Sequence, residues 1–169
     1  MSEYGSVLFA AVEEGGQRLS QIEPHEYAYK PTPDRWSKKE ILGHLIDSAY
    51  NNHRRFLKAL SQDNLIFDGY AQDNWVVFNR YQERDPTELI HHWSSSNRHL
   101  AKLIDSIDTT FVNRVSENHN YDKICMNTIA SDAPSSLSYL IWDYIFHLEH
   151  HLVQLAPGYE RKLKDFTEY

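Results

Sequence analysis

Apolar residues recur at three- and four-residue steps in four stretches of this chain, and no strand pattern of comparable length competes with them. The first stretch, residues 3–22, carries Val7, Ala11, Val12, Leu19 and Ile22 on one side. Gly15-Gly16 weakens its middle by about 1 kcal/mol per glycine relative to alanine, which makes this the point where the helix could break. The second stretch starts near Ser37 and runs to about Leu60, with Ile41, Leu45, Ser48, Asn52, Phe56 and Leu60 on or near one stripe. Ser37 followed by Glu40 predicts a capping box, and Trp36 can staple onto Ile41. Pro31, Pro33 and Asp34 keep this helix from starting earlier.

The third stretch begins at Asp85-Pro86-Thr87-Glu88, with Asp85 as the expected N-cap and Pro86 in the first helical position. Leu89, Trp93, Ser96, Leu100, Leu103 and Ile107 follow in the cleanest helical period of the chain. The fourth runs from about Ser135 to Leu155, between Pro134 and Pro157-Gly158. Leu137, Leu140, Tyr144, His147, His151 and Leu155 share its inner face. Residues 62–85 and 108–134 form connections longer than bundle helices usually need. A short helix is expected around Asp73–Phe78, and a short extended pair near Phe111–Glu117 and Lys123–Ile129. Such connections suit a four-helix bundle with at least one crossover.

The chain has 169 residues, enough for one domain with a real core, and neither repeats nor low-complexity segments subdivide it. A formal net charge of -7 argues against nucleic acid or an anionic membrane as partner. The single cysteine, Cys125, precludes an intrachain disulfide and fits a reducing cytoplasm. No basic region precedes the short apolar stretch of MSEYGSVLFAAVEEGG, so no signal peptide is expected. No apolar run approaches the roughly 18 residues needed to span a bilayer.

Chemistry concentrates in FHLEHHLVQL. His147 and His151 lie four residues apart, so both imidazoles project from one helix face, one turn apart, and can grip one metal ion. They also lie on the core stripe, where a neutral imidazole must be hydrogen-bonded or coordinated. Two readings stay open on these residues alone: a metal pair, or core histidines bonded to Asp143 or a tyrosine. A catalytic metal needs a third ligand and an open position. His44, inside the capped second helix and beside its core stripe, is the best candidate. Asp47, three residues on, would serve as a fourth ligand, a general base or an orienter of an imidazole. Gln154 would orient a ligand or contact substrate, and Asp143 has the same options, although a solvated flank is the commoner explanation for both.

His150 points about 100° away from His151 and is second choice. His92 and His99 suit the surface better than the cavity rim, and the cluster His53-Arg54-Arg55 is expected to face outward. Cys125 is a poor candidate nucleophile, best read as a small hydrophobe.

The blocks WSKKEILGHLIDSAYNNHRRF and YIFHLEHHLVQL, with FDGYAQDNW and RDPTELIHHW between them, resemble the DinB/YfiT-like superfamily of metalloenzymes. The resemblance runs from about Trp36 to Leu155. It implies an all-α fold, a four-helix bundle of up-down-down-up connectivity in a single domain over residues 1–169. It also implies a three-histidine site, here His44, His147 and His151, and a homodimer. Relatives include thiol S-transferases that use bacillithiol, mycothiol or glutathione, and a maleylpyruvate isomerase.

Three functional readings compete. The first is a metal-dependent enzyme, a thiol S-transferase or hydrolase acting on a small molecule, with Asp47 or Gln154 positioning the nucleophile. In this reading Tyr70, Trp75 and Phe78 line the mouth of the site. The second is a non-catalytic metal- or small-ligand-binding bundle, and the third a structural bundle without metal. Imidazole-only ligation suits zinc or nickel first, with iron or manganese as further candidates.

Overall fold

The structure, a computed structural model, describes residues 3–166. Four long helices dominate: α1 (Glu3–Leu19), α2 (Lys38–Ala59), α4 (Pro86–Ser106) and α7 (Leu137–Leu155). Between them lie α3 (Gln72–Phe78), α5 (Thr109–Val112), α6 (Tyr121–Ile124) and two residue pairs, β1 (Val115–Ser116) and β2 (Ser135–Ser136). Among the described residues no helix is long and apolar enough to cross a membrane.

The helix starts follow the local chemistry. Ser37 caps α2 by accepting from the Glu40 amide, while the Glu40 carboxylate accepts from the Ser37 amide, a complete capping box. Asp85 caps α4 by accepting from the amides of Thr87 and Glu88, with Pro86 in the first turn. Helix α1 does not break at its glycines. A Cβ on Gly15 would come within 3.0 Å of Leu152 and Trp93, so the bare backbone is what lets α1 close onto α4 and α7. The packing gained there overrides the weak local propensity.

Residue pairs fix the directions. Glu13 of α1 is ion-paired with Arg98 of α4, and Gly5 sits against Ala101 and Asp105, so these helices run antiparallel. Tyr50 of α2 meets His92 of α4 and His53 meets His99, so α2 and α4 run parallel. His44 of α2 meets His151 of α7 while Phe56 meets Tyr144, so these two are antiparallel. The bundle is therefore up-down-down-up. A parallel α2 and α4 require the chain to travel back along the bundle between them. It does so by pairing Leu65 with the segment at Asn118–His119, then passing Tyr70 and α3, and finally seating Tyr81 against Gly43 near the start of α2.

Three expectations need correction. The extended pair of the second long connection joins Val115 to Ser136 and Ser116 to Ser135, whereas residues 121–124 form a helical turn. The Lys123–Ile129 segment is instead clamped by Asp143, whose carboxylate accepts from the amides of Met126 and Asn127 and from the Asn127 side chain. Asp143 is thus buried, not a solvated helix flank. In α4 the fully buried polar position is Asn97, not its half-buried neighbour Ser96. Asn97 accepts a hydrogen bond from the Tyr144 hydroxyl and donates to the Trp93 carbonyl.

The core joins all four long helices, with Leu8, Phe56, Trp93 and Leu148 wholly buried. The chain after α7 folds back on the bundle. Glu149, fully buried, accepts from the Tyr159 hydroxyl and from the amides of Lys162 and Leu163. The Trp142 indole donates to the Lys164 carbonyl.

Candidate metal centre

Helices α2 and α7 bring His44, His147 and His151 together. The three ring centroids are 4.8–5.3 Å apart, and one ring nitrogen from each lies within 4.8 Å of the others. The Nε2 atoms of His44 and His147 are 3.0 Å apart. Two nitrogens bound tetrahedrally to zinc at about 2.0–2.1 Å would stand roughly 3.3 Å apart, so the cluster is close to a ligating arrangement. His44 is 2% exposed, and its Nδ1 has no hydrogen-bond partner. His147 and His151 are half-buried at the edge of the same cavity.

The rings are held neutral. Burial, followed by the neighbouring His151, pushes His44 down to about 4. Burial lowers His151 to about 4 as well, against a smaller upward pull from Gln154. His147 is driven well below the ordinary imidazole value by burial and then by His151, His44 and His150. Neutral imidazoles retain a lone pair, the form a metal requires.

Gln154 sets the tautomer of His151. Its amide nitrogen lies 2.9 Å from His150 Nε2, which leaves its oxygen to face His151 Nδ1 at 3.2 Å. An amide oxygen only accepts, so His151 donates from Nδ1 and keeps the Nε2 lone pair free. His150 also lines the cavity, with its ring centroid 5.3 Å from that of His151.

The cavity holds about 370 Å³ and is walled by Trp36, Ser48, Asn52, Arg55, Tyr70 and Cys125 around the histidines. Trp36 packs against His44 at 5.1 Å between centroids, and Tyr70 stacks over the same ring at 6.5 Å. Burial raises the Cys125 thiol far above its usual range, with Asp143 reinforcing the shift. Arg55 does not face outward: it is 8% exposed and forms part of this wall. Spacing alone held the clue, since position 55 lies eleven residues, about three turns, beyond His44 on nearly the same face of α2.

Other expected residues lie elsewhere. Asp47 points to a neighbouring cavity, where Oδ1 accepts from the Tyr81 hydroxyl at 2.7 Å and from Asn79 at 3.1 Å. Burial raises its carboxyl, partly offset by those two hydrogen bonds. Trp75 and His92 line that second cavity, Phe78 is exposed on α3, and His99 pairs with His53 on the outer face.

Residues 16–155 match the DinB superfamily. Among solved structures, YfiT from Bacillus subtilis is similar, with a TM-score of 0.71 and 15% identity over 90% of this chain and 82% of its own. It is described as a probable metal-dependent hydrolase with an unusual four-helix bundle topology. A mycothiol-dependent maleylpyruvate isomerase is similar with a TM-score of 0.69 and 12% identity over 96% of this chain. This chain spans 63% of the isomerase's length. No curated protein matches in sequence.

Proposed function

The chain belongs to the DinB superfamily, and on that premise we propose that it is a metal-dependent enzyme acting on a small molecule, a thiol S-transferase or a hydrolase. The observation that carries this reading is the convergence of three neutral imidazoles, His44, His147 and His151, in the wall of a 370 Å³ cavity. These three residues would hold one divalent ion, zinc or nickel first, with iron or manganese as alternatives. A divalent ion bound there would lower the pKa of a thiol or water beside it.

The chain's own residues do the rest. Gln154 acts as a positioning residue by fixing the His151 tautomer. Trp36 and Tyr70 shield the ring of His44 from water. Asp47 acts from behind α2: its bonds to Tyr81 and Asn79 tie the helix that carries His44 to the returning connection. The two similar structures support both branches of the proposal, since one is described as a probable metal-dependent hydrolase and the other as a mycothiol-dependent isomerase. A homodimer in the cytoplasm is part of the same proposal, and light scattering of purified protein tests the dimer.

The test is turnover by metal-loaded protein. Monochlorobimane with bacillithiol, mycothiol or glutathione reads the transferase branch, and a panel of small esters and amides reads the hydrolase branch. Activity with one class, lost on chelation and in His151→Ala, is expected. Stoichiometric metal without turnover of either class would make the chain a non-catalytic metal-binding bundle.

A further inference from the structure

Arg55 is buried in the wall of the histidine cavity, and among the described residues no carboxylate pairs with it. Its guanidinium presents five N–H donors. Nη2 donates to the Asp68 carbonyl at 3.0 Å and Nη1 to Asn52 Oδ1 at 3.5 Å, while Nε is buried with no partner. Among the described residues no ion pair involves Arg55. The nearest carboxylate in the cavity wall, Asp143, has both oxygens engaged by Met126 and Asn127. A guanidinium held in low dielectric by neutral acceptors is poorly compensated, and an incoming anion would complete it.

We infer that Arg55 anchors a carboxylate of the cavity's small-molecule ligand, an inference that rests on the reading of this cavity as a substrate site. The planar fork of arginine matches a carboxylate with two parallel N–H···O bonds. A single guanidinium, already partly offset by the Asp143 and Asp68 charges, can balance at most one negative charge, which favours a carboxylate over the double charge of a phosphate. Placement adds a second constraint. Arg55 lies about three turns along α2 from His44, and helical side chains lean toward the N-terminus, so the guanidinium reaches back toward the histidines. Ser48 and Asn52 occupy the wall between. The ligand class is therefore an elongated carboxylic acid, with its acid group at Arg55 and its reacting group at the three imidazoles.

Calorimetric titration tests this with three carboxylates (maleate, phenylacetate and N-acetylglutathione), each against its neutral ester, and with inorganic phosphate. Zinc-loaded and chelator-treated full-length protein are titrated in parallel, with zinc content measured on each sample. At least one acid is expected to bind 10-fold or more tighter than its ester, and that ratio should fall to near one in Arg55→Gln. Arg55→Lys, which keeps the charge without the fork and is the variant to use if Arg55→Gln fails to fold, should retain an intermediate, several-fold ratio. Equal affinity for all acids and esters, no binding of any acid, a ratio that survives in Arg55→Gln, or tighter binding of phosphate than of every acid would each overturn the inference. If zinc fails to bind while the acid-to-ester ratio holds, the metal reading falls and the Arg55 assignment stands. Stoichiometric zinc with a ratio of one reverses that outcome.

Discussion

The Nε2 atoms of His44 and His147, 103 positions apart in sequence, face each other at 3.0 Å. Two imidazole lone pairs that close repel unless a proton or a cation lies between them. Both rings are held neutral by burial, and the third ring, His151, keeps its Nε2 lone pair free. Neutral rings meet that condition in two ways: one ring's own N–H donates to the other as a hydrogen bond, or both lone pairs turn to one cation.

Zinc or nickel is expected to stabilise the protein through the second arrangement. At a free concentration 100 times the dissociation constant the gain is about 2.7 kcal/mol. Thermal melts with and without metal should show an upward shift in the parent chain and little or none in His44→Ala or His147→Ala. An equal shift in all three would rule out these ligands.

The metal-free protein should lose stability in acid. His44 and His151 titrate near 4 when folded, below the unfolded value of about 6.5. The unfolded chain therefore binds more protons between these limits. The stability due to neutral histidines is present above about pH 6.5 and lost progressively as pH falls toward 4, on the order of 1 kcal/mol per pH unit for each group. Urea unfolding at pH 7.5, 6.0 and 5.0 reads this directly. A midpoint that does not fall across that range would contradict it, and replacing the histidines with leucine should flatten the profile.

Gly43→Ala should destabilise the protein by about 1–3 kcal/mol, the usual cost of overpacking. A Cβ at this position would overlap the ring of Tyr81, which cannot withdraw without disturbing its bond to Asp47. Because Gly43 precedes His44, weaker metal binding should accompany the loss. Denaturant midpoints and metal titration check the two effects separately.

Glu149→Ala removes an acceptor that serves one hydroxyl and two backbone amides in a fully buried place. A loss of roughly 3 kcal/mol is expected, together with release of the chain after α7. Faster proteolysis within residues 157–166 and a changed Trp142 environment would report it.

Cys125 should react slowly. Burial and the nearby Asp143 carboxylate hold its thiol far above the range in which thiolate forms. Iodoacetamide at pH 8 should modify the folded protein at least 10-fold more slowly than the unfolded chain, since the thiolate is the nucleophile. Comparable rates by mass spectrometry would contradict this.

The sequence by itself determined the helices whose ends carry their own chemistry. Ser37 with Glu40, and Asp85 with Pro86, satisfy orphan amides using neighbours within one turn, so these starts are readable without tertiary context. The four-residue step of His147 and His151 is equally local, and the place of His44 beside the core stripe of the capped second helix made it the third candidate, which the family resemblance also implies. Tertiary structure alone decided what depended on contacts between distant segments. Gly15 reads as a helix breaker until Leu152 and Trp93 pack onto it. Asp143 and Arg55 read as surface charges until the Met126–Asn127 amides and the Asp68 carbonyl draw them inside. The side on which Asp47 works is set by Tyr81, brought back by the connection that lets α2 and α4 run parallel. Local hydrogen bonding and periodicity are written in neighbouring residues, whereas burial of a charge depends on partners that the chain's path alone delivers.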